Sequence, residues 1–200
     1  MTTPIEKCFE SFASISLAGL NDKAEMLARI DNKYILRAHQ LQPALASFAE
    51  IFDVLDIDGK RGFDYSTVYF DDAELRGYYD HHQRRRKRCK ARIRSYVDAG
   101  LHYLEVKLND RRSTTLKKRL RIAASTSELD LQALDFIDAC NREVYGEPFR
   151  KVLSGAIHIT YRRYTLVAKD GGERMTLDTG MRFSAGGVTA APPPDMFIIE

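Results

Sequence analysis

Residues 86–97, "RKRCKARIRSYV", alternate with a period of two. Arg86, Arg88, Lys90, Arg92, Arg94 and Tyr96 share one parity, while Lys87, Cys89, Ala91, Ile93, Ser95 and Val97 share the other, which is small or apolar from Cys89 onward. Side chains of a strand point alternately to its two faces. A strand here is therefore cationic on one face and small or apolar on the other. Its apolar side must pack on a core, and its cationic side must meet water or an anion. The preceding Arg84 and Arg85 lie before the strand and read as solvated. The whole chain carries 31 basic and 28 acidic residues, for a net charge of +3. The run is thus a local concentration of charge, which points to a site more than to general affinity for polyanions.

Other segments repeat the pattern. Tyr103, Glu105 and Lys107 oppose His102, Leu104, Val106 and Leu108; Lys117, Arg119 and Arg121 oppose Leu116, Lys118 and Leu120. Arg174, Thr176 and Asp178 oppose Met175 and Leu177; Arg29, Asp31 and Lys33 align; Tyr65, Thr67, Tyr69 and Asp71 oppose Ser66, Val68 and Phe70. An antiparallel sheet with one wet face also alternates, but such faces ordinarily mix acids with bases. Like charges opposite one another across strands are destabilising, so rows of Lys and Arg imply a polyvalent counter-anion. A polyphosphate chain, a nucleoside triphosphate or a nucleic acid would serve, since the arginine fork binds two phosphate oxygens at once.

The remaining chain supplies the scaffold. Ile5, Phe9, Phe12 and Ile15 predict an amphipathic helix over 5–18. Leu41, Leu45 and Phe48 predict another over 40–50, and a short one follows near 73–82. Strands are predicted at 29–36, 65–72, 86–97, 101–108 and 114–121, with "VDAG" and "NDRRS" as turns. "STSELDLQALDFIDACN" reads as a helix capped by Ser125 or Ser127, with Leu131, Leu134 and Ile137 as its apolar stripe. Two tightly joined strands are expected over 152–169, then a "KDGGE" turn, a strand at 174–183, the extended connector "TAAPPPD" and a last strand "MFIIE". The sum is α+β: about eight mostly antiparallel strands with flanking helices, as a β-barrel or strongly curled sheet.

Cys8, Cys89 and Cys140 show no C-x-x-C spacing and read as free thiols of a reducing compartment. With no export signal and no apolar run near 18 residues, a soluble cytoplasmic protein without membrane insertion is expected. Nucleic acid is disfavoured as partner, because no aromatic residue interleaves the bases between 84 and 95. Asp71 and Asp178 read as ion-pair partners in preference to metal ligands, as does Glu105 beside Lys107. Tyr65 and Tyr69 read either as lining the site or as strand formers. His81 and His82 read as surface residues, and Cys89 as an inert core thiol.

Eight segments in order resemble one family: "RIDNKY" at 29–34, "YSTVYFDD" at 65–72, "KARIRSY" at 90–96, "LEVK" at 104–107, "LKKR" at 116–119, "YRRY" at 161–164, "RMTLDTGMR" at 174–182 and the terminal "IIE". They resemble the VTC domain, the polyphosphate polymerase domain of the vacuolar transporter chaperone complex and its bacterial relatives, within the CYTH-like triphosphate tunnel metalloenzyme superfamily. The resemblance implies an antiparallel barrel whose lumen is a Lys/Arg-lined tunnel holding triphosphate or polyphosphate with a divalent cation, Mg2+ or Mn2+. It implies transfer of the ATP γ-phosphate onto a polyphosphate chain. By motif, Arg92, Arg94 and Lys107 carry the transfer; Lys33, Lys117, Arg119, Arg163 and Arg174 bind phosphate; Glu200 binds metal. Two departures stand out: Asp31 replaces the family's usual Glu, and the family continues past the last-strand Glu, whereas this sequence stops there. The expected organisation is a helical segment over 1–24 and the tunnel domain over 25–200, cut at the last strand. Two alternatives share every Lys and Arg: a binding module for polyphosphate or nucleotide without turnover, and a tripolyphosphatase or NTPase of the same fold.

Overall fold

The computed structural model describes residues 4–23, 32–109 and 115–200. Five helices are present among them: α1 Pro4–Cys8, α2 Leu17–Lys23, α3 Ala38–Ile51, α4 Arg76–His82 and α5 Leu131–Tyr145. The strands are β1 Ser14–Ile15, β2 Tyr34–Arg37, β3 Phe52–Leu55, β4 Gly62–Asp71, β5 Arg88–Tyr96, β6 Leu101–Asn109, β7 Thr115–Ile122, β8 Ser154–Ala168, β9 Arg174–Ala185, β10 Val188–Ala190 and β11 Met196–Ile199.

The strands join in the order β2-β11-β9-β8-β4-β5-β6-β7, with β1, β3 and β10 paired off this path. The pairings β2–β11, β11–β9, β3–β8, β4–β5, β5–β6, β6–β7 and β9–β10 are antiparallel, and β1 pairs parallel with β3. The fold is α+β with a mostly antiparallel sheet. Among the described residues no pairing joins β2 to β7, so the sheet is not closed into the expected barrel. Closure requires the two edges to pair along their length, and β2 offers four residues against eight in β7.

Contacts divide the chain into two units. One comprises residues 65–160 and 183–190. Here β4–β7 show the predicted alternation, and their apolar face (Val68, Phe70, Ala91, Ile93, Leu104, Val106, Leu108) packs on Ala133, Ile137 and Cys140 of α5. Asp130 caps this helix by accepting from Ala133 N at 2.8 Å, and Gly146 ends it in the left-handed region with φ 72°. The expected caps at Ser125 and Ser127 are displaced to Asp130. The inward stripe is therefore Ala133, Ile137 and Cys140, while Leu131 is 80% exposed. Each buried aliphatic side chain of this layer contributes about 1.5–3 kcal/mol. The layer fixes which way β5, β6 and β7 turn their cations.

The other unit comprises residues 1–64, 161–182 and 191–200. Its core joins Phe9, Phe12, Leu41, Leu45, Phe52, Val54, Tyr164, Leu166, Leu177, Phe197 and Ile199. The helix expected over 5–18 is instead α1, β1 and the start of α2. Serines interrupt it: Ser11 Oγ donates to the Cys8 carbonyl and Ser16 Oγ accepts from Gly19 N, the local bonds by which serine competes with helix. The two strands expected over 152–169 are one 15-residue strand, β8, because no turn residue interrupts "HITYRRYTLV". Arg29 and Asp31 of the first predicted strand, and most of the "NDRRS" turn, lie outside the described residues. No helix is long and apolar enough to cross a membrane among the described residues.

Candidate phosphate-binding site

Antiparallel register turns the parity of four strands into rows on one face. Lys90, Lys107 and Lys117 form one row. Tyr69, Arg92, Glu105 and Arg119 form the next, and Thr67, Arg94, Tyr103 and Arg121 the one beyond. Tyr65 and Tyr96 pair after that. The structure thus brings Arg92, Arg94, Lys107, Lys117 and Arg119 together on one surface.

Glu105 organises that surface. Its side chain is 3% exposed and its carboxylate meets Arg92 at 2.6 Å, Lys117 at 2.6 Å and Arg94 at 4.0 Å. Burial alone would raise the Glu105 pKa; Arg92, Lys117 and Arg94 outweigh it and hold the group down at about 2. Burial also works against the Arg92 charge, but Tyr69 and Glu105 more than restore it, so its pKa is raised. Lys117 moves the other way: burial, with Arg92 and Arg94 nearby, lowers its pKa despite the Glu105 pairing. Tyr69 Oη accepts from Arg92 Nη1 at 2.9 Å. Tyrosine rings lie beneath the guanidinium groups of Arg92 (Tyr69), Arg94 (Tyr65) and Arg119 (Tyr103), at 5.2–5.8 Å.

One carboxylate thus serves three cations, and the balance is incomplete. Lys107 is exposed and forms no salt bridge among the described residues. Arg94, with a side chain 12% exposed, has its Nε buried without a hydrogen-bond partner, and so has Thr67 Oγ1 directly opposite it in register. Buried polar groups are rarely left unpaired, and these two present an N–H and an O–H donor to the same face. Sequence parity placed Thr67 on this face; only the burial marks it out.

A second group lies in the other unit. Arg163 binds Asp178 through two nitrogens at 2.6 and 2.7 Å and lies 3.9 Å from Glu200. Lys33 pairs with Glu200, as the β2–β11 register dictates by setting Tyr34 opposite Ile199. Backbone bonds between Thr176 and Glu200 extend the β9–β11 pairing by one step. Arg174, at the start of β9, is exposed. The other arginine of "YRRY", Arg162, turns the opposite way, to Asp64 and Glu6.

Asp178 is an ion-pair partner, as its position suggested. Asp71 is not: its carboxylate accepts from the backbone N–H groups of Asp72, Gly77 and Tyr78 at 2.8–2.9 Å and anchors the start of α4. Burial pushes the Cys89 thiol up to about 12. Among the described residues no three His, Cys, Asp or Glu side chains converge as a metal cage. Magnesium often needs only one or two carboxylates plus substrate phosphates, and Glu200 fits that kind of site and no preformed one.

A family model described as the VTC domain matches residues 28–192. Among solved structures, the chain is similar to the PH1012 protein from Pyrococcus horikoshii OT3, with 11% identity over 85% of this chain and 77% of that one, TM-score 0.39. It is similar too to HpAC1 from Hippeastrum, described as an adenylyl cyclase with a dominant triphosphatase activity: 16% identity, 84% and 76% coverage, TM-score 0.41. No curated relative matches the chain.

Proposed function

The chain belongs to the VTC-domain family, and on that footing we propose that it is a metal-dependent phosphotransferase that moves the ATP γ-phosphate onto a polyphosphate chain. The observation that carries this reading is the orphaned pair on the cationic face, Arg94 Nε and Thr67 Oγ1. A bound phosphate would bring acceptor oxygens to the face on which these two donors lie opposite each other in register, and its charge answers the surplus that Glu105 leaves.

In this reading Arg92, Arg94 and Lys107 hold the transferring phosphoryl group, and Lys117 and Arg119 hold its neighbours in the chain. Lys33, Arg163 and Arg174 would be further phosphate contacts, and Glu200 would hold Mg2+ or Mn2+. The bound metal would neutralise charge on phosphate oxygens. A terminal oxygen of the acceptor chain attacks the γ-phosphorus, the bond from γ-phosphorus to the bridging oxygen breaks, and ADP leaves with that oxygen. The attacking oxygen is already anionic, so no general base is required. Catalysis rests on alignment and on preorganised positive charge. Arg92 meets these needs because Glu105 and Tyr69 fix its guanidinium from behind.

The test is incubation with ATP and Mn2+ or Mg2+, with polyphosphate and free phosphate measured separately. Lengthening polyphosphate with matching ADP supports the reading. Free phosphate alone makes the protein a triphosphatase. Tight tripolyphosphate binding without either product makes it a binding module.

A further inference from the structure

The cationic rows end in tyrosine. Tyr65 pairs across strands with Tyr96, their ring centroids 5.1 Å apart and planes inclined by 56°. Tyr96 also meets Tyr103 edge to face, at 6.0 Å and 89°. Neither contact is a parallel stack. All three residues are half-buried, which distinguishes them from the fully buried aromatics of the core, such as Tyr164 and Phe9. The opposite parity of these strands supplies the packing on α5, so the cluster is not needed to fill that layer.

We propose that Tyr65, Tyr96 and Tyr103 form a stacking site for the base of a nucleoside triphosphate whose phosphates lie on the adjoining Lys/Arg rows. The inference rests on the phosphate-binding reading of that face. Successive same-face positions of a strand are about 6.7 Å apart, so Tyr96 stands about 13 Å along β5 from Arg92 and about half that from Arg94. A ribose and the first phosphate bridge such an interval. The order along β5 is then base at Tyr96 and the phosphates along Arg94 and Arg92, with the transferring phosphoryl group between those two arginines. Aromatic stacking accepts every base, so the site distinguishes nucleotides from inorganic polyphosphate and leaves the base undetermined. Tyr65 lies beneath Arg94 at 5.8 Å and Tyr103 beneath Arg119 at 5.2 Å, so the base site adjoins two of the phosphate clamps.

Calorimetric titration of ATP, GTP and tripolyphosphate into wild type, Tyr96→Leu and Tyr96→Phe tests this, with the thermal transition checking the fold of each variant. The leucine variant is expected to lose about 5- to 100-fold in affinity for both nucleotides, the yield of one stacked base, and to keep its tripolyphosphate affinity. The phenylalanine variant is expected to bind all three as wild type does. Unchanged ATP binding by Tyr96→Leu overturns the base site, and so does an equal loss for ATP and tripolyphosphate. Should Tyr96→Leu unfold, Tyr96→Met makes the same comparison. If wild type binds neither ATP nor tripolyphosphate, the phosphate reading of the face fails, and the base site falls with it.

Discussion

Glu105→Gln keeps side-chain volume and removes the one carboxylate beneath Arg92, Arg94 and Lys117. Those cations outweigh burial and take the Glu105 pKa from 4.5 to about 2. A displacement of that size corresponds to about 3 kcal/mol of stability. Water reaches the cluster past Lys117, whose side chain is 41% exposed, and screening reduces the figure to about 2 kcal/mol. The sign follows from linkage. A folded-state pKa below the unfolded one stabilises the protein fully above about pH 5, and that stabilisation is lost as pH falls toward 2. Urea unfolding at neutral pH should therefore find the variant less stable by about 2 kcal/mol. The gap should close in acid, where wild-type Glu105 is itself neutral. Saturating tripolyphosphate should stabilise the variant more than wild type, because the ligand replaces the missing charge. Equal stability at neutral pH, or a gap that persists unchanged into acid, refutes the claim that this carboxylate neutralises the cationic face.

Arg94→Ala removes the guanidinium whose Nε lacks a protein partner, and in the phosphotransfer assay it should lower turnover about 10- to 1000-fold. Gly77→Ala places a Cβ 2.9 Å from Asp71 Oδ1. It should push that carboxylate off the Gly77 and Tyr78 N–H groups at a cost of about 1–3 kcal/mol, seen as faster amide exchange across α4. Cys89, its thiol raised by burial to about 12, should resist iodoacetamide at pH 8 in the folded protein and react once the protein is unfolded in urea.

The face of β4–β7 was legible because strand parity needs no tertiary information. Once Arg92, Arg94, Tyr103, Lys107, Lys117 and Arg119 are assigned to strands, their side follows. Register was not legible, and register makes Glu105 the common neighbour of Arg92 and Arg119. Nor could parity show that Thr67 Oγ1 and Arg94 Nε are buried without partners, since that depends on what packs around them. Asp71 was misread because its partners are backbone N–H groups several residues ahead, which no side-chain pattern announces. The N-terminal helix failed for a related reason. Phe9 and Phe12 have helical spacing and are indeed buried, but an edge-to-edge pairing of β1 with β3 and local serine bonds take the chain elsewhere. The cap of α5 lies at Asp130 and not at Ser125 or Ser127, and the buried stripe is Ala133, Ile137 and Cys140, the side that meets the sheet.

The turn at Val97–Gly100, where β5 hands over to β6 through a 3₁₀ step and a left-handed glycine, makes this part of the gene sensitive to length. Deleting one codon within β5 would exchange the two faces of the strand beyond it. Arginines would be driven against Ile137, and Ile93 would be left on the cationic side. Substitutions on the cationic face carry no such penalty, because α5 touches only the other side. The cationic face can thus change one residue at a time without disturbing the layer on α5, while the meander's alternation of inside and outside admits no single-residue insertion or loss.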